Sequence, residues 1–337
     1  MKPTAAPRAR ILGTGHYLPA GVRTNVDLER MVDTSDAWIA ERTGIRERRI
    51  APDGIVTSDM AAAAARSALE AAELRPEQLD MIIVGTVTPD YPMPATAAVV
   101  QQKLGAGHCP AFDLSAACAG FVYGLAIADQ FLRTGALRHV LVVGVELLSR
   151  VVNWEDRTTC VLFGDGAGAV VLGPADGEEA RGKPRGVLST QIHTDGALAQ
   201  ALIIPGGGSV MPFGPEVLEQ RKHKVHMVGK DIFKAAVKNL YATSKSALDD
   251  AGLTPADLDW VCAHQANLRI LDQVTDRLAV PKEKVLLNIE RVGNTSSASI
   301  PILLDENVRS GRIRPGDTVL MSALGAGVSW GSALVRM

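Results

Sequence analysis

Cysteine is scarce in this chain of 337 residues. Only four are present, at 109, 118, 160 and 262, with no CxxC pair and no secretory leader ahead of them. That excludes a disulfide framework and predicts free thiols in a reducing, cytoplasmic compartment. A dominant charge is missing as well: 35 Lys+Arg stand against 37 Asp+Glu, a net charge of -2. No global field therefore draws the protein to nucleic acid or an anionic membrane, and an acidic partner must use a local patch. Long apolar runs are also lacking, since charge, Gly or Pro interrupts each one before it could cross a bilayer. What is there is 47% hydrophobic residues, enough to bury a large core in one or two domains. The first ten residues, with three basic side chains and no apolar block, read as a flexible tail.

Short β-rich runs at 81 to 86, 111 to 116 and 139 to 145 alternate with helical patterns at 58 to 72 and 120 to 134, which predicts α/β units with buried strands. Ser58 reads as an N-cap, with Asp59 in the first turn and an alanine run behind it. An internal repeat organises the rest: SALEAAELRPEQLDMIIVGT (67 to 86) lies over SALDDAGLTPADLDWVCAHQ (246 to 265), each helix, Pro turn, then strand. Two copies make a duplicated half, not a solenoid. The parallel continues as 111 to 118 faces 284 to 294, and 139 to 149 faces 317 to 327. It divides the chain into halves 1 to 174 and 175 to 337. The stretch from about 174 to 230 has no counterpart and reads as connection plus insertion, forming part of a pocket wall.

In this alignment Cys118, His264, Asn294 and the Gly325 to Gly327 loop fall just past strand carboxyl ends, where open α/β sheets place ligands. Cys118 stands where an apolar strand gives way to a helix. A helix start stabilises a thiolate, and its free N–H groups can hold an oxyanion. A buried structural cysteine is the competing reading. His264 follows a strand directly, and Asn294 follows the turn-permitting Gly293. Each alone has a structural explanation, but together they supply thiol, imidazole and amide for nucleophilic acyl chemistry. Metal binding is discounted because Cys262 and His264 have no second pair at ligand spacing.

At these residues the chain resembles β-ketoacyl-acyl carrier protein synthase III, a thiolase-fold family, from about residue 10 to the C-terminus. SAACAGF around Cys118, FGDGAGA at 163 to 169, HQANLRI at 264 to 270, GNTSSAS at 293 to 299 and WGSALVR at 330 to 336 occur in the family's order, and TSDAWIAERTGIRERR at 34 to 49 matches its coenzyme A entrance motif. The resemblance implies two pseudo-symmetric α/β halves in a five-layer αβαβα arrangement and a Cys118, His264, Asn294 triad. It implies that Cys118 accepts an acyl group from acyl-coenzyme A, with the N–H groups of Cys118 and Ala326 as the oxyanion hole. His264 and Asn294 then support decarboxylation of malonyl-acyl carrier protein, or malonyl-coenzyme A, before the Claisen step. No permanently bound cofactor and no metal are implied, and the expected assembly is a homodimer.

By the same resemblance Thr34, Trp38, Arg42 and Arg157 hold coenzyme A; Met93, Leu148, Phe163 and Leu324 border the acyl pocket, Met93 from the partner; and Lys234, Arg269 and Arg277 dock the carrier protein. Two departures stand out. Asp276 occurs where a basic residue is common, and Leu324 where many decarboxylating members carry Phe. The latter opens a specialised secondary-metabolism enzyme with a different primer or acceptor. A Cys-His-Asn hydrolase would share the triad order but lacks its CGSCW-type context here. A non-catalytic subunit of a heterodimeric synthase would be marked by a missing nucleophile, and Cys118 is present. With no cysteine after 262, a thiolase's second Cys is missing.

Overall fold

The computed structural model describes residues 8–175, 179–180 and 182–337. Two sheets form its frame. The first contains β1 (Ala9–Tyr17), β2 (Met81–Gly85), β3 (Ala111–Leu114), β4 (Val140–Glu146) and β5 (Gly166–Pro174), in the order β1-β5-β4-β2-β3. The second contains β6 (Gly186–Thr194), β7 (Trp260–Val261), β8 (Thr318–Gly325) and β9 (Ser329–Arg336), in the order β6-β9-β8-β7. In each order the first two pairings are antiparallel and the remainder parallel. Val285 adds a parallel bridge to Val261, as β3 does to β2. The duplicated sequence is thus a duplicated topology.

Why the strands sit where they do follows from their two apolar faces. Ile83, Val140 and Val142 of the first sheet and Val319, Met321 and Ala333 of the second share a core with the helices α4 (Gly120–Arg133) and α7 (Ser299–Arg309). Alternate residues such as Ile82, Val84, Leu141 and Val143 face the other way, against α2 (Thr57–Ala71) and α3 (Thr96–Leu104). Leu320 and Leu334 likewise face α5 (Gly229–Asp250) and α6 (Leu268–Arg277). The period of two places each strand's side chains in different layers. Five layers result, αβαβα, with a shorter helix α1 (Asp36–Thr43) outside them near the entrance to the site.

Several local expectations need correction. Helix α2 is capped from Val56, not Ser58: Asp59 accepts from the Val56 N–H at 3.1 Å. Ser58 lies inside the first turn, its N–H donating to Asp90 at 2.9 Å. The tail is shorter than ten residues, because β1 starts at Ala9, whose N–H donates to the buried Asp129; residues 1–7 lie outside the described part.

The repeat also carries a strained turn. Ala117 and Ser296 both have left-handed backbones, φ 46° and 48°, each opening a short 3₁₀ turn that feeds α4 or α7. In this register Ser297 occupies in the second half the place that Cys118 holds in the first. The Ser297 carbonyl packs against Gly144 of β4 so closely that a Cβ there would stand 2.2 Å from it. We expect Gly144→Ala to cost ~1–3 kcal/mol through overpacking. A thermal melt should show the midpoint falling by several degrees, and an unchanged midpoint would contradict the packing described.

Candidate active site

Strand β3 ends at Leu114, and the chain turns through Ala117 to present Cys118 ahead of α4. The left-handed residue makes the turn tight enough to aim the thiol past the sheet edge. Strand β8 ends beside it at Gly325, where a Cβ would lie 2.5 Å from the Cys118 amide nitrogen. Only glycine permits that approach, and it brings Ala326 to the same cavity wall as Cys118.

Cys118 is buried. Burial pushes its thiol up to about 12, the charge of Glu146 acts in the same direction, and the Ser296 hydroxyl acts against both. The lowered thiol expected from a helix start is therefore not what the resting site has. Desolvation of the charged form outweighs the helix-terminal contribution here. The proton must leave as the thiol reacts.

His264 follows β7, its backbone N–H donating to Ser322 of β8 at 2.8 Å. The ring is buried, and neither nitrogen has a hydrogen-bond partner. A buried imidazole with both nitrogens unmatched is costly unless a ligand completes it. Burial also pulls its pKa down to about 3, so the ring is neutral at physiological pH. Asn294 lies in the turn before α7 and is fixed at three points. Its N–H donates to Leu162 at 2.8 Å, its carbonyl accepts from Gly164 at 3.0 Å, and its side-chain Oδ1 accepts from the Ser296 N–H at 2.8 Å. The Nδ2 amide is left as the free donor. Cys118, His264, Asn294 and Leu324 line one cavity of about 340 Å³.

That cavity opens between Trp38, Arg42 and Arg157, whose guanidinium groups lie 4.8 and 5.2 Å from the Trp38 ring centre. Arg157 also donates to the Asp33 carbonyl at 2.6 Å. Thr34 stands outside the lining. On the other side of Cys118 a second cavity of about 450 Å³ is walled mainly by apolar groups, including Leu148, Phe163, Ile204 and Val225, with Ala326 and Ser296 at its Cys118 end. Leu202 to Ile204 and Val225 come from the segment with no counterpart in the first half. Met93 lines neither of these two cavities and is 86% exposed. Lys234, Arg269 and Arg277 are exposed, Arg269 at the cavity mouth. Among the described residues no cluster of three His, Cys, Asp or Glu could hold a metal, and no helix is long and apolar enough to cross a membrane.

Two further polar residues belong to the site and were not singled out from the sequence. Glu146 ends the otherwise apolar β4 and is wholly buried, and Ser296 lines the acyl-side cavity. A lone carboxylate closing a fully buried strand was the available signal.

Residues 112–196 match the family profile described as 3-oxoacyl-[acyl-carrier-protein] synthase III, and residues 248–337 match its C-terminal counterpart. The β-ketoacyl-[acyl-carrier-protein] synthase III of Caldanaerobacter subterraneus subsp. tengcongensis is 50% identical over 328 residues, 97% of each chain. The chain belongs to the β-ketoacyl-acyl carrier protein synthase III family. Among solved structures, the synthase III of Aquifex aeolicus VF5 superposes with a TM-score of 0.89 at 45% identity, covering 98% of this chain and 100% of that one. The priming β-ketosynthase of the R1128 polyketide pathway superposes at 0.88 and 38% identity, covering 100% and 98%. The chain is accordingly a thiolase-fold condensing acyltransferase.

A neutral His264 has a direct consequence. Its ring resonances should not titrate between about pH 5 and pH 8, the range in which an unperturbed histidine changes charge. Histidine-labelled NMR spectra of the protein and of His264→Gln identify the signal, and a midpoint near the ordinary value would overturn the assignment of a neutral donor.

Proposed function

We propose that Cys118 is the acyl-accepting nucleophile of a decarboxylative condensation, with acyl-coenzyme A as donor and malonyl-acyl carrier protein as acceptor. The observation that carries this reading is the unmatched polar surface around one buried thiol. The two partnerless nitrogens of His264 and the free Nδ2 of Asn294 face a cavity that also reaches Cys118. In the first half-reaction Cys118 sulfur bonds the acyl carbon and coenzyme A leaves as thiolate. The N–H groups of Cys118 and Ala326 would hold the oxyanion, supported by the close approach of Gly325 to the Cys118 amide. In the second, His264 and Asn294 donate to the malonyl thioester oxygen as carbon dioxide departs, and the carbanion attacks acyl-Cys118. A neutral imidazole suits that donor role, because it offers an N–H to the thioester oxygen without a charge that its buried site would penalise.

The entrance fits the donor. Trp38 offers a face for adenine, Arg42 and Arg157 pair readily with phosphates, and Thr34 stands close by in sequence at the start of α1. Lys234, Arg269 and Arg277 supply a local basic patch for an acidic carrier protein, on a molecule whose net charge offers none. We also propose a cytoplasmic homodimer. Met93 and Tyr91 are exposed near β3, an edge strand, and Met93 would reach the partner's pocket.

The apolar cavity of about 450 Å³ favours a primer larger than a two-carbon group, since this volume lies in the range that takes a drug-sized ligand. Leu324 in place of a bulkier aromatic ring gives further room beside Cys118.

Incubation with a panel of acyl-coenzyme A donors should add one acyl mass to the Cys118 peptide, most rapidly for medium-length or branched acyl groups. Labelling that persists in Cys118→Ala, or that is confined to acetyl, would sink the corresponding part of the proposal. His264→Ala and Asn294→Ala should keep the acyl label yet release carbon dioxide ~10²–10³-fold more slowly, as loss of an oxyanion donor does. Unimpaired decarboxylation in both would remove their assigned role.

A further inference from the structure

The mechanism leaves one buried group unused, and it lies against the nucleophile. The Glu146 carboxylate is wholly buried, and no cation pairs with it among the described residues. Its Oε2 accepts from the Val87 N–H at 3.1 Å, the Thr88 hydroxyl at 2.9 Å and the Thr86 hydroxyl at 3.4 Å. Its Oε1 faces the Ser296 and Ser297 hydroxyls at 3.0 and 3.1 Å. Ser296 and Cys118 line the same cavity, and the Ser296 hydroxyl acts on the thiol to favour its ionised form. One hydroxyl therefore stands between carboxylate and thiol.

Counting protons on these oxygens shows what the arrangement can carry. Ser297 has one hydroxyl proton, and its shorter bond, 2.7 Å, goes to the Gly85 carbonyl. That leaves the Ser297 oxygen as an acceptor beside Oε1, a partner that a protonated carboxyl can use and a carboxylate cannot. Oε2 has its donors in either state. The pocket thus satisfies both the ionised and the neutral acid without rearrangement.

We propose that Glu146 is the proton acceptor for Cys118, acting through the Ser296 hydroxyl. As the sulfur bonds the acyl carbon, the thiol proton passes to Ser296 Oγ and the proton of Ser296 passes to Glu146 Oε1. The departing coenzyme A thiolate takes its proton from solvent. When the carbanion later displaces Cys118 from the acyl group, the thiolate recovers along the same path the proton that Glu146 took up. Protons balance over the cycle, and no oxidant or further reactant is needed.

The facing groups agree with this role. The titratable neighbour acting on Cys118 is Glu146 itself, whose charge holds the thiol proton on; the segments 86–88 and 296–297 present only N–H and hydroxyl groups. Moving the proton to Glu146 removes the repulsion that opposed the thiolate. Burial raises the carboxyl to about 7, close to the working pH of a general base. His264, held neutral by burial, keeps its donor role for the second half-reaction.

This inference rests on Cys118 being the nucleophile, and its test separates the two. Single-turnover acylation by an acyl-coenzyme A, and alkylation of Cys118 by iodoacetamide, are followed against pH. The reacting form needs the carboxylate, so both rates in the parent enzyme should climb as pH rises through about 7 and then level off. In Glu146→Gln the step near neutrality should vanish and acylation at neutral pH should fall about 100-fold, with the rate still climbing at alkaline pH as the thiol ionises by itself. Glu146→Asp should keep a step near neutrality. If Glu146→Gln does not fold, Ser296→Ala breaks the path while leaving the carboxylate, and the same loss of the step is expected. A variant that is uniformly slower with the parent's pH profile, or one that retains the parent's rates, overturns the relay and leaves the nucleophile in place. Label that survives Cys118→Ala overturns the reading on which the relay rests.

Discussion

Desolvation of one sulfur organises this site. Cys118 is placed where water cannot stabilise its thiolate, so every neighbour that touches it has to manage charge instead. An active nucleophile in bulk solvent would be easier to ionise, but it would also expose an acyl thioester to hydrolysis. Burial protects that thioester and leaves the enzyme needing built-in routes for protons and built-in donors for oxyanions. The Gly325 approach, the neutral His264 and the turn that carries Asn294 all answer that need.

The same constraint explains how the fold is used. Strand ends are the places where a backbone surrounded by apolar layers can release polar groups into a shared crevice. Both sheets end there, one bringing Cys118 and Glu146, the other His264 and Ala326. The αβαβα layering holds these ends together through the two central helices, whose apolar flanks leave little freedom for the turns that precede them.

Much of this was legible in the residues. The helix, Pro turn and strand repeat announced a duplicated α/β frame, and the positions of Cys118, His264 and Asn294 after strand ends put them in one crevice. Periodicity could not place the cap of α2, because Asp59 reaches back to Val56 while Ser58 turns to Asp90. Nor could it give the state of the Cys118 thiol. A helix start is visible in sequence, whereas the degree of burial that outweighs it depends on cavity walls from distant segments such as 202 to 204. Glu146 escaped notice for a related reason: its partners, Thr86, Val87, Thr88, Ser296 and Ser297, meet only after both halves have folded.

The mirrored turns at Ala117 and Ser296 carry a further consequence. A duplication first yields two equal copies of every feature, and here the backbone of the turn survives in both while the side chains have parted company. One copy offers sulfur, the other a pair of hydroxyls that both reach the Glu146 carboxylate. Asymmetry of chemistry is thus laid onto symmetry of backbone, so that one half supplies the nucleophile and the other part of its environment.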